Sequence, residues 1–311
     1  MCTAIRFDNR LFGRTFDYER SYGEMMTVLP RGHLCAEGDN ASYAILGIGV
    51  MRGRLPLLFD GVNECGLAGA ALSFPKCAAY HSATSGRRPV ASGCLLGLIL
   101  GRCSSVLEVR KMLSDICVTD GRDHTPLHWM FCDSEGAIVV ESVADGLNVM
   151  NNPAGVLTNS PELGYHLTRL GDISLLGSEN PSDGFCDTPL YSRGMGAIGL
   201  PGDFSSSSRF LRAAFLRKHC PMRYHGNDYG NIRQAMDLMG QVSLPHGAVL
   251  SDDGREVYTR YTAVIDMTVP AYYLSSSTSR AIGRICLSES LCGGGGVTTA
   301  PVYINESFFD I

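Results

Sequence analysis

A cysteine lies directly behind the initiator methionine of this 311-residue chain, and that position could give it chemistry. Because cysteine is small, aminopeptidases are expected to remove Met1, so the mature chain would begin at Cys2. That residue would then carry a thiol and a free α-amine. An α-amine has a pKa of about 7.7–8, against roughly 10.4 for lysine, so a useful fraction is neutral at physiological pH. The position therefore predicts a nucleophile that carries its own general base.

Two charged residues in the next expected strand, Arg14 and Asp17, could complete such a site. A nearby guanidinium lowers the pKa of a thiol, and a carboxylate can accept hydrogen bonds from an α-amine and orient it. Their spacing of three places the side chains on opposite faces of an ideal strand, so both reach one thiol only if the strand ends or bends near Thr15 and Phe16. The alternative is a cysteine buried under a sheet beside an ordinary exposed ion pair.

Short strands and a few helices must position these residues. Segments rich in β-formers and bounded by Gly, Pro, Asn or Asp predict strands, and apolar residues at a helical period predict helices. No composition break divides residues 1–311, so a single α+β domain is expected, with two sheets and helices layered on them. The expected strands are 2–8, 11–18, 24–29, 43–51, two within 55–75, several within 127–159, 256–266 and 271–276; the expected helices include 104–116, 205–220 with a serine cap, and 229–241.

Two stretches have no clear pattern of strands or helices. Segment 160–206 is rich in Gly, Ser and Pro and is too long for an ordinary connection, which predicts a functional or assembly loop. The tail around Gly293–Gly296 is expected to be peripheral.

Composition and charge exclude several classes of protein. The net charge of −5 comes with no basic block, so neither nucleic acid nor an anionic membrane is an expected partner. The longest apolar runs, such as Cys94 to Leu100, are too short to cross a bilayer, and the first residues lack the order of a signal peptide, which predicts a cytoplasmic protein. The 12 cysteines are scattered singly, without a CxxC pair, so we expect free thiols, no metal site and no cofactor.

Several blocks of sequence, in one order along nearly the whole chain, resemble the choloylglycine hydrolase family. Its members are bile salt hydrolases and penicillin V acylases of the N-terminal nucleophile hydrolase superfamily. The blocks are MCTAIRF, FGRTFDYERSYGE, TVLPRG, DGVNECGLAGAALSFP, PLHWMFCDSEGAIVVESVADGLNVMNNPAGVLTNSP and GLPGDFSSSSRFLRAAF.

The resemblance implies a four-layer αββα sandwich of two antiparallel sheets between helical layers. It also implies hydrolysis of a linear amide through an acyl-enzyme on Cys2, with Arg14 and Asp17 beside the nucleophile. Asn159 would match the asparagine that donates to the oxyanion, and Arg209 the second active-site arginine. Residues 170–203 match a loop that clasps a neighbouring subunit in a homotetramer.

Two positions depart from the family pattern and leave the substrate open. Ser73 replaces the asparagine usual in bile salt hydrolases and the tyrosine usual in penicillin V acylases. Arg20 lies where many bile-salt enzymes have an apolar or aromatic residue near the acyl pocket; it could bind an anionic substrate group or point outward. Hydrolysis of glycine- or taurine-conjugated bile salts is the first hypothesis. A penicillin V or other N-acyl amidase is the second, and a catalytically idle binding protein the third. The choice between glycine and taurine depends on loops around 33–42 and 118–127.

Overall fold

Two antiparallel sheets form the centre of the fold in the computed structural model, which describes residues 1–82, 86–121, 124–181, 192–223 and 228–306. None of the helices in these ranges has the length and apolar character needed to span a bilayer. The strands are β1 (Cys2–Arg6), β2 (Leu11–Tyr18), β3 (Met25–Leu29), β4 (Leu34–Ala36), β5 (Asp39–Asn40), β6 (Ile45–Arg52), β7 (Leu55–Asn63), β8 (Ala68–Ser73), β9 (Arg88–Ala91), β10 (Ile116–Thr119), β11 (Leu127–Cys132), β12 (Ala137–Val143), β13 (Gly146–Asn151), β14 (Val156–Leu157), β15 (Tyr258–Asp266), β16 (Ala271–Ser276), β17 (Ser279–Cys286) and β18 (Thr298–Pro301). The helices are α1 (Leu95–Arg102), α2 (Val106–Ser114), α3 (Leu163–Arg169), α4 (Ser206–His219), α5 (Asp228–Gly240) and α6 (Glu289–Cys292).

The layers stack in the order helix, sheet, sheet, helix. The first sheet has the strand order β14-β1-β2-β15-β16-β17, and the second has the order β13-β12-β11-β8-β7-β6-β3-β18. Helices α4 and α5 contact β1, β2 and β15 on the outer side of the first sheet, whereas α1 contacts β7 and β8 on the outer side of the second. The expected α+β class and the αββα sandwich are both confirmed.

The second sheet separates two apolar clusters, and the alternation of side chains along β11 shows how. Trp129 and Phe131 belong to the cluster under α1 and α2, while Met130 and Cys132 belong to the cluster between the two sheets. All four side chains are fully buried. The second sheet therefore has buried apolar side chains on both faces, and one of these faces lines the space between the sheets.

The expected strands and helices are present with small shifts at their ends, and the serine cap of α4 is confirmed. The Ser205 side chain accepts a hydrogen bond from the Ser208 amide at 3.3 Å.

Several elements were missed, among them α3, β17 and β18. The α3 helix lies inside the segment that was expected to be irregular. It was missed because only two of its side chains, Leu163 and His166, are buried, which leaves little apolar pattern in the sequence. Strand β17 is missing from the prediction, and the tail is not merely peripheral. Residues Thr298–Pro301 add β18 to the edge of the second sheet by pairing with β3. Backbone hydrogen bonds make that edge, so its mostly exposed side chains leave little pattern in the sequence.

Candidate active site

The Cys2 thiol lies at the start of β1, between the two sheets, and is fully buried. Cys2 pairs with Phe16 and Ala4 with Arg14 across the β1–β2 hairpin, so Cys2, Phe16 and Arg14 share one face of the sheet. The Arg14 Nη2 lies 3.4 Å from the Cys2 sulfur and donates to it. The structure thus brings together the thiol and the guanidinium that the sequence singled out.

Three further groups hold the Arg14 guanidinium in place. Its Nη1 donates to the Asp60 carboxylate and to the Tyr261 hydroxyl (2.9 Å), and its Nη2 donates to the Ala71 carbonyl at 3.1 Å. The Tyr261 hydroxyl in turn donates to Asp60 at 2.5 Å. Burial alone would lower the pKa of Arg14, but Tyr261, Cys2 and Asp60 together hold it well above its ordinary value, so the group stays cationic. Burial raises the pKa of Asp60, while Arg14 acts to lower it.

Asp17 lies on the opposite face of β2, as its spacing from Arg14 predicts, and does not touch the thiol. Its carboxylate accepts hydrogen bonds from Thr259 (2.6 Å) and Thr15 (3.0 Å). Burial raises its pKa, against the opposing effects of Arg209 and the N-terminal ammonium. The Asp17 carboxylate therefore lies on the side of the N-terminus rather than on the side of the sulfur.

A register shift in β15 lets this strand contribute one side chain to each face of the sheet at the site. Tyr261 pairs with Phe16 while Thr259 pairs with Asp17, so Arg260 is an extra residue between them. Without the shift, Thr259 and Tyr261 would point to the same face. With it, Tyr261 reaches Arg14 and Thr259 reaches Asp17.

Asn159 and Arg209 surround the backbone of Cys2. The Cys2 nitrogen, here still a peptide N–H behind Met1, donates to the Asn159 Oδ1 at 2.9 Å. Arg209 donates to the same oxygen at 2.7 Å, to the Cys2 carbonyl at 2.7 Å and to the Thr3 hydroxyl at 2.7 Å. The Asn159 Nδ2 donates to the Ser73 carbonyl at 2.7 Å, which leaves its second hydrogen for another acceptor. Burial lowers the pKa of Arg209, with Asp17 and Cys2 opposing.

Two buried histidines and a serine fix the backbone around Asn159. His128 Nε2 lies 3.1 Å from the Thr158 carbonyl, and His166 Nε2 lies 2.9 Å from the Asn159 carbonyl. The Ser206 hydroxyl accepts a hydrogen bond from the backbone N–H of Asn159 and donates one to the backbone carbonyl of Asn159, both at 2.9 Å. Burial lowers the pKa of His166, which favours the neutral ring. His128 also stacks on Phe74, with 4.2 Å between ring centres.

An aromatic cavity of about 540 Å³ has Arg14, the partner of the thiol, in its lining, whereas Cys2 itself lies behind Arg14 and is not a lining residue. Both expected substrate-binding residues, Ser73 and Arg20, line it. Ser73 also hydrogen-bonds Tyr18, whose pKa is raised well above its usual value by burial and then by Cys2. The other lining residues are Arg14, Phe16, Tyr22, Val50, Arg52, Leu57, Leu58, Phe59, Ala71, Gly93, His124, Thr125, Pro126 and Leu127.

The sequence did not point to Asp60, Tyr261, Tyr18 or His166. An available signal for Asp60 was a carboxylate inside the otherwise apolar run LPLLFDGV, because a buried charge needs a partner. Among the described residues, no group of three His, Cys, Asp or Glu side chains could hold a metal ion. The arrangement offers a thiol, a nitrogen on the same residue that is held by hydrogen bonds, and a cation that lies between the thiol and the aromatic cavity. Such a set can transfer an acyl group from an amide to the sulfur.

Comparison with known proteins places the chain among amide hydrolases. Residues 2–294 match the family model described as linear amide C–N hydrolases, choloylglycine hydrolase family. The chain is 37% identical to the bile salt hydrolase/transferase of Lactiplantibacillus plantarum over 93% of both chains. A mutant of the conjugated bile acid hydrolase from Clostridium perfringens has a similar structure, with a TM-score of 0.90, 29% identity and 100% of both chains covered. The penicillin V acylase of Agrobacterium tumefaciens shares the fold with a TM-score of 0.76 at 21% identity, over 96% of this chain and 90% of that one.

Proposed function

Because this chain belongs to the choloylglycine hydrolase family of linear amide C–N hydrolases, we propose that it cleaves glycine- or taurine-conjugated bile salts through the Cys2 thiol. The observation that carries the proposal is the contact of the Cys2 sulfur with the guanidinium of Arg14, a residue that also lines an aromatic cavity. A cavity of about 540 Å³ with Phe16, Tyr22 and Phe59 in its walls suits a large apolar acyl group such as a steroid.

In the proposed mechanism, removal of Met1 turns the Cys2 nitrogen into an amine that still donates to Asn159. The neutral amine takes the thiol proton, and the sulfur forms a bond to the amide carbonyl carbon. Arg14 stabilises the negative charge on the sulfur before attack. The free N–H of the Asn159 amide is the candidate donor to the oxyanion, an interaction that contributes about 3–4 kcal/mol in comparable sites.

The second half of the reaction reverses these proton transfers. The Cys2 ammonium gives its proton to the leaving nitrogen as the C–N bond breaks, which releases glycine or taurine and leaves a thioester. Water, deprotonated by the same amine, then attacks the thioester and releases the bile acid and the thiol. Asp17 and Arg209 hold the N-terminus and Asn159 in the required orientation.

A penicillin V acylase or another N-acyl amidase is the second candidate. Ser73 keeps this candidate open, because it provides neither the amide side chain usual in bile salt hydrolases nor the tyrosine usual in penicillin V acylases. Tyr18 and Ser73 also line the cavity near the thiol, and their hydroxyl groups could bind the polar groups of an acyl chain that is not a steroid.

Turnover of glycocholate, taurocholate and penicillin V, measured side by side with purified protein, separates the hypotheses. We expect the two bile salts to be hydrolysed with higher kcat/KM, and Cys2→Ala to hydrolyse none of the three. Penicillin V as the preferred substrate would favour the second candidate. Absence of turnover on all three, with bile-salt binding retained, would favour an idle binding protein.

We further propose that residues 1–311 act as one domain in a cytoplasmic homotetramer. Two apolar side chains of the expected assembly loop are strongly exposed, Leu175 at 98% and Ile198 at 66%, which supports burial against a neighbouring copy. Residues 182–191 of that loop lie outside the described residues.

A further inference from the structure

The cavity is lined by residues that follow one another along β2. Arg14, Phe16 and Tyr18 share one face of the strand, and Arg20 follows two residues past its end. Arg20 is six residues from Arg14, so at about 3.3 Å per residue the two lie at most roughly 20 Å apart. A substrate whose carbonyl lies at the thiol would therefore extend along the aromatic wall toward Arg20.

Contacts with the aromatic wall hold the Arg20 guanidinium at this outer end. Its Cζ lies 5.1 Å from the centre of the Tyr22 ring. Tyr22 in turn makes edge contacts with Tyr18 at 5.5 Å, Phe59 at 6.1 Å and Phe16 at 6.4 Å between ring centres. The exposed guanidinium thus stacks on the outermost ring of the cluster that lines the cavity.

No carboxylate among the described residues forms an ion pair with Arg20. The neighbouring Glu19 lies 3.4 Å from Arg255 instead. Arg14, at the inner end, differs because its charge is matched by the buried carboxylate of Asp60. The described lining of the cavity contains Arg20 and Arg52 besides Arg14 but no Asp or Glu, so the charges of the lining itself are positive.

We propose that Arg20 selects acyl groups that carry an anion far from the amide bond, such as a sulfate ester on the steroid ring most distant from the side chain. The inference rests on the proposed function, since it assumes that the acyl group fills this cavity. Arg20 would bind the sulfate oxygens through its paired N–H groups. Sulfated conjugated bile salts would then be better substrates than their unsulfated counterparts.

The test compares kcat/KM for glycolithocholate and its 3-sulfate in the wild type, Arg20→Gln and Arg54→Gln. Arg54 is a matched control, because it is an exposed arginine outside the cavity lining. We expect the wild type to prefer the sulfate by about threefold to tenfold, mainly through KM, because the contact is remote from the reacting bond. Arg20→Gln should remove the preference, Arg54→Gln should keep it, and added salt should weaken it.

The same preference for the sulfate in the wild type and in Arg20→Gln would overturn the inference. An equal loss of kcat/KM on both substrates in Arg20→Gln would also overturn it, because Arg20 would then contact the glycine end of the substrate. Absence of turnover of either bile salt by the wild type would refute the proposed function instead. Arg20 is then still tested by calorimetric binding of lithocholate 3-sulfate to Cys2→Ala and to the Cys2→Ala, Arg20→Gln double variant. Equal affinities there would overturn the inference, and weaker binding by the double variant would support it.

Discussion

The buried cluster of Arg14, Asp60 and Tyr261 makes a strong prediction about Asp60→Asn. Both partners of the ion pair are almost completely buried, with side-chain exposures of 1% and 0%. The amide oxygen can still accept hydrogen bonds from Arg14 and Tyr261, but the uncharged amide leaves the Arg14 cation without a counter-ion. Removal of one partner of a buried ion pair costs about 3–5 kcal/mol. We expect a loss of that size in the free energy of unfolding.

The same change should also reduce turnover, because Asp60 helps to hold the Arg14 Nη2 at 3.4 Å from the sulfur. The expected loss is in kcat more than in KM, since Asp60 does not line the cavity. Urea unfolding and glycocholate kinetics measure the two effects on the same preparation.

Asp266→Asn provides the control for Asp60→Asn. Asp266, at the end of β15, also pairs with an arginine, Arg10 in the turn between β1 and β2, at 2.6 Å, but 28% of the Arg10 side chain remains exposed. Water can therefore solvate Arg10 once its partner is gone, and we expect a cost of about 1 kcal/mol with turnover retained. The account of Arg14 would be refuted if Asp60→Asn were as stable and as active as the Asp266 variant.

Three more predictions concern the nucleophile, the cavity and the assembly. Cys2→Ser should fold normally and lose most of its activity, because a serine hydroxyl is far less acidic than a thiol beside the same amine; kinetics near the wild-type rate would contradict this. Ser73→Asn should raise kcat/KM on glycocholate by about threefold to tenfold, because the added amide donor would act only in the transition state. A gain on penicillin V with a loss on bile salts would favour the acylase. Sedimentation at micromolar concentration should give a tetramer, and a clean monomer would remove that proposal.

Local sequence was enough to predict the hairpin that carries the thiol. The β1–β2 pairing depends on residues close in the chain, so the spacing of Arg14 and Asp17 placed them on opposite faces, while the register that brings Cys2 onto the Arg14 face came from the structure. The αββα sandwich came from the resemblance, because the strand and helix pattern alone does not fix the order of layers.

Partners that arrive from distant strands could not be predicted from pattern. Asp60 comes from the second sheet, and Tyr261 reaches Arg14 only because of the register shift in β15. The orientation of the Asn159 side-chain amide is likewise set by residues distant in the sequence: Arg209 donates to its oxygen, and its nitrogen donates to the Ser73 carbonyl. Such contacts depend on long-range pairing, which a single sequence does not reveal.

The most direct test of the central claim is the mass of the acyl-enzyme. Enzyme mixed with glycocholate is quenched in acid during turnover, digested and examined by mass spectrometry, with Cys2→Ala as the control. The Cys2 mechanism predicts an N-terminal peptide that begins at Cys2, lacks Met1 and carries a cholyl group on its sulfur, with no adduct in the control. Full activity with Met1 still attached, or the acyl group on a different residue, would contradict it.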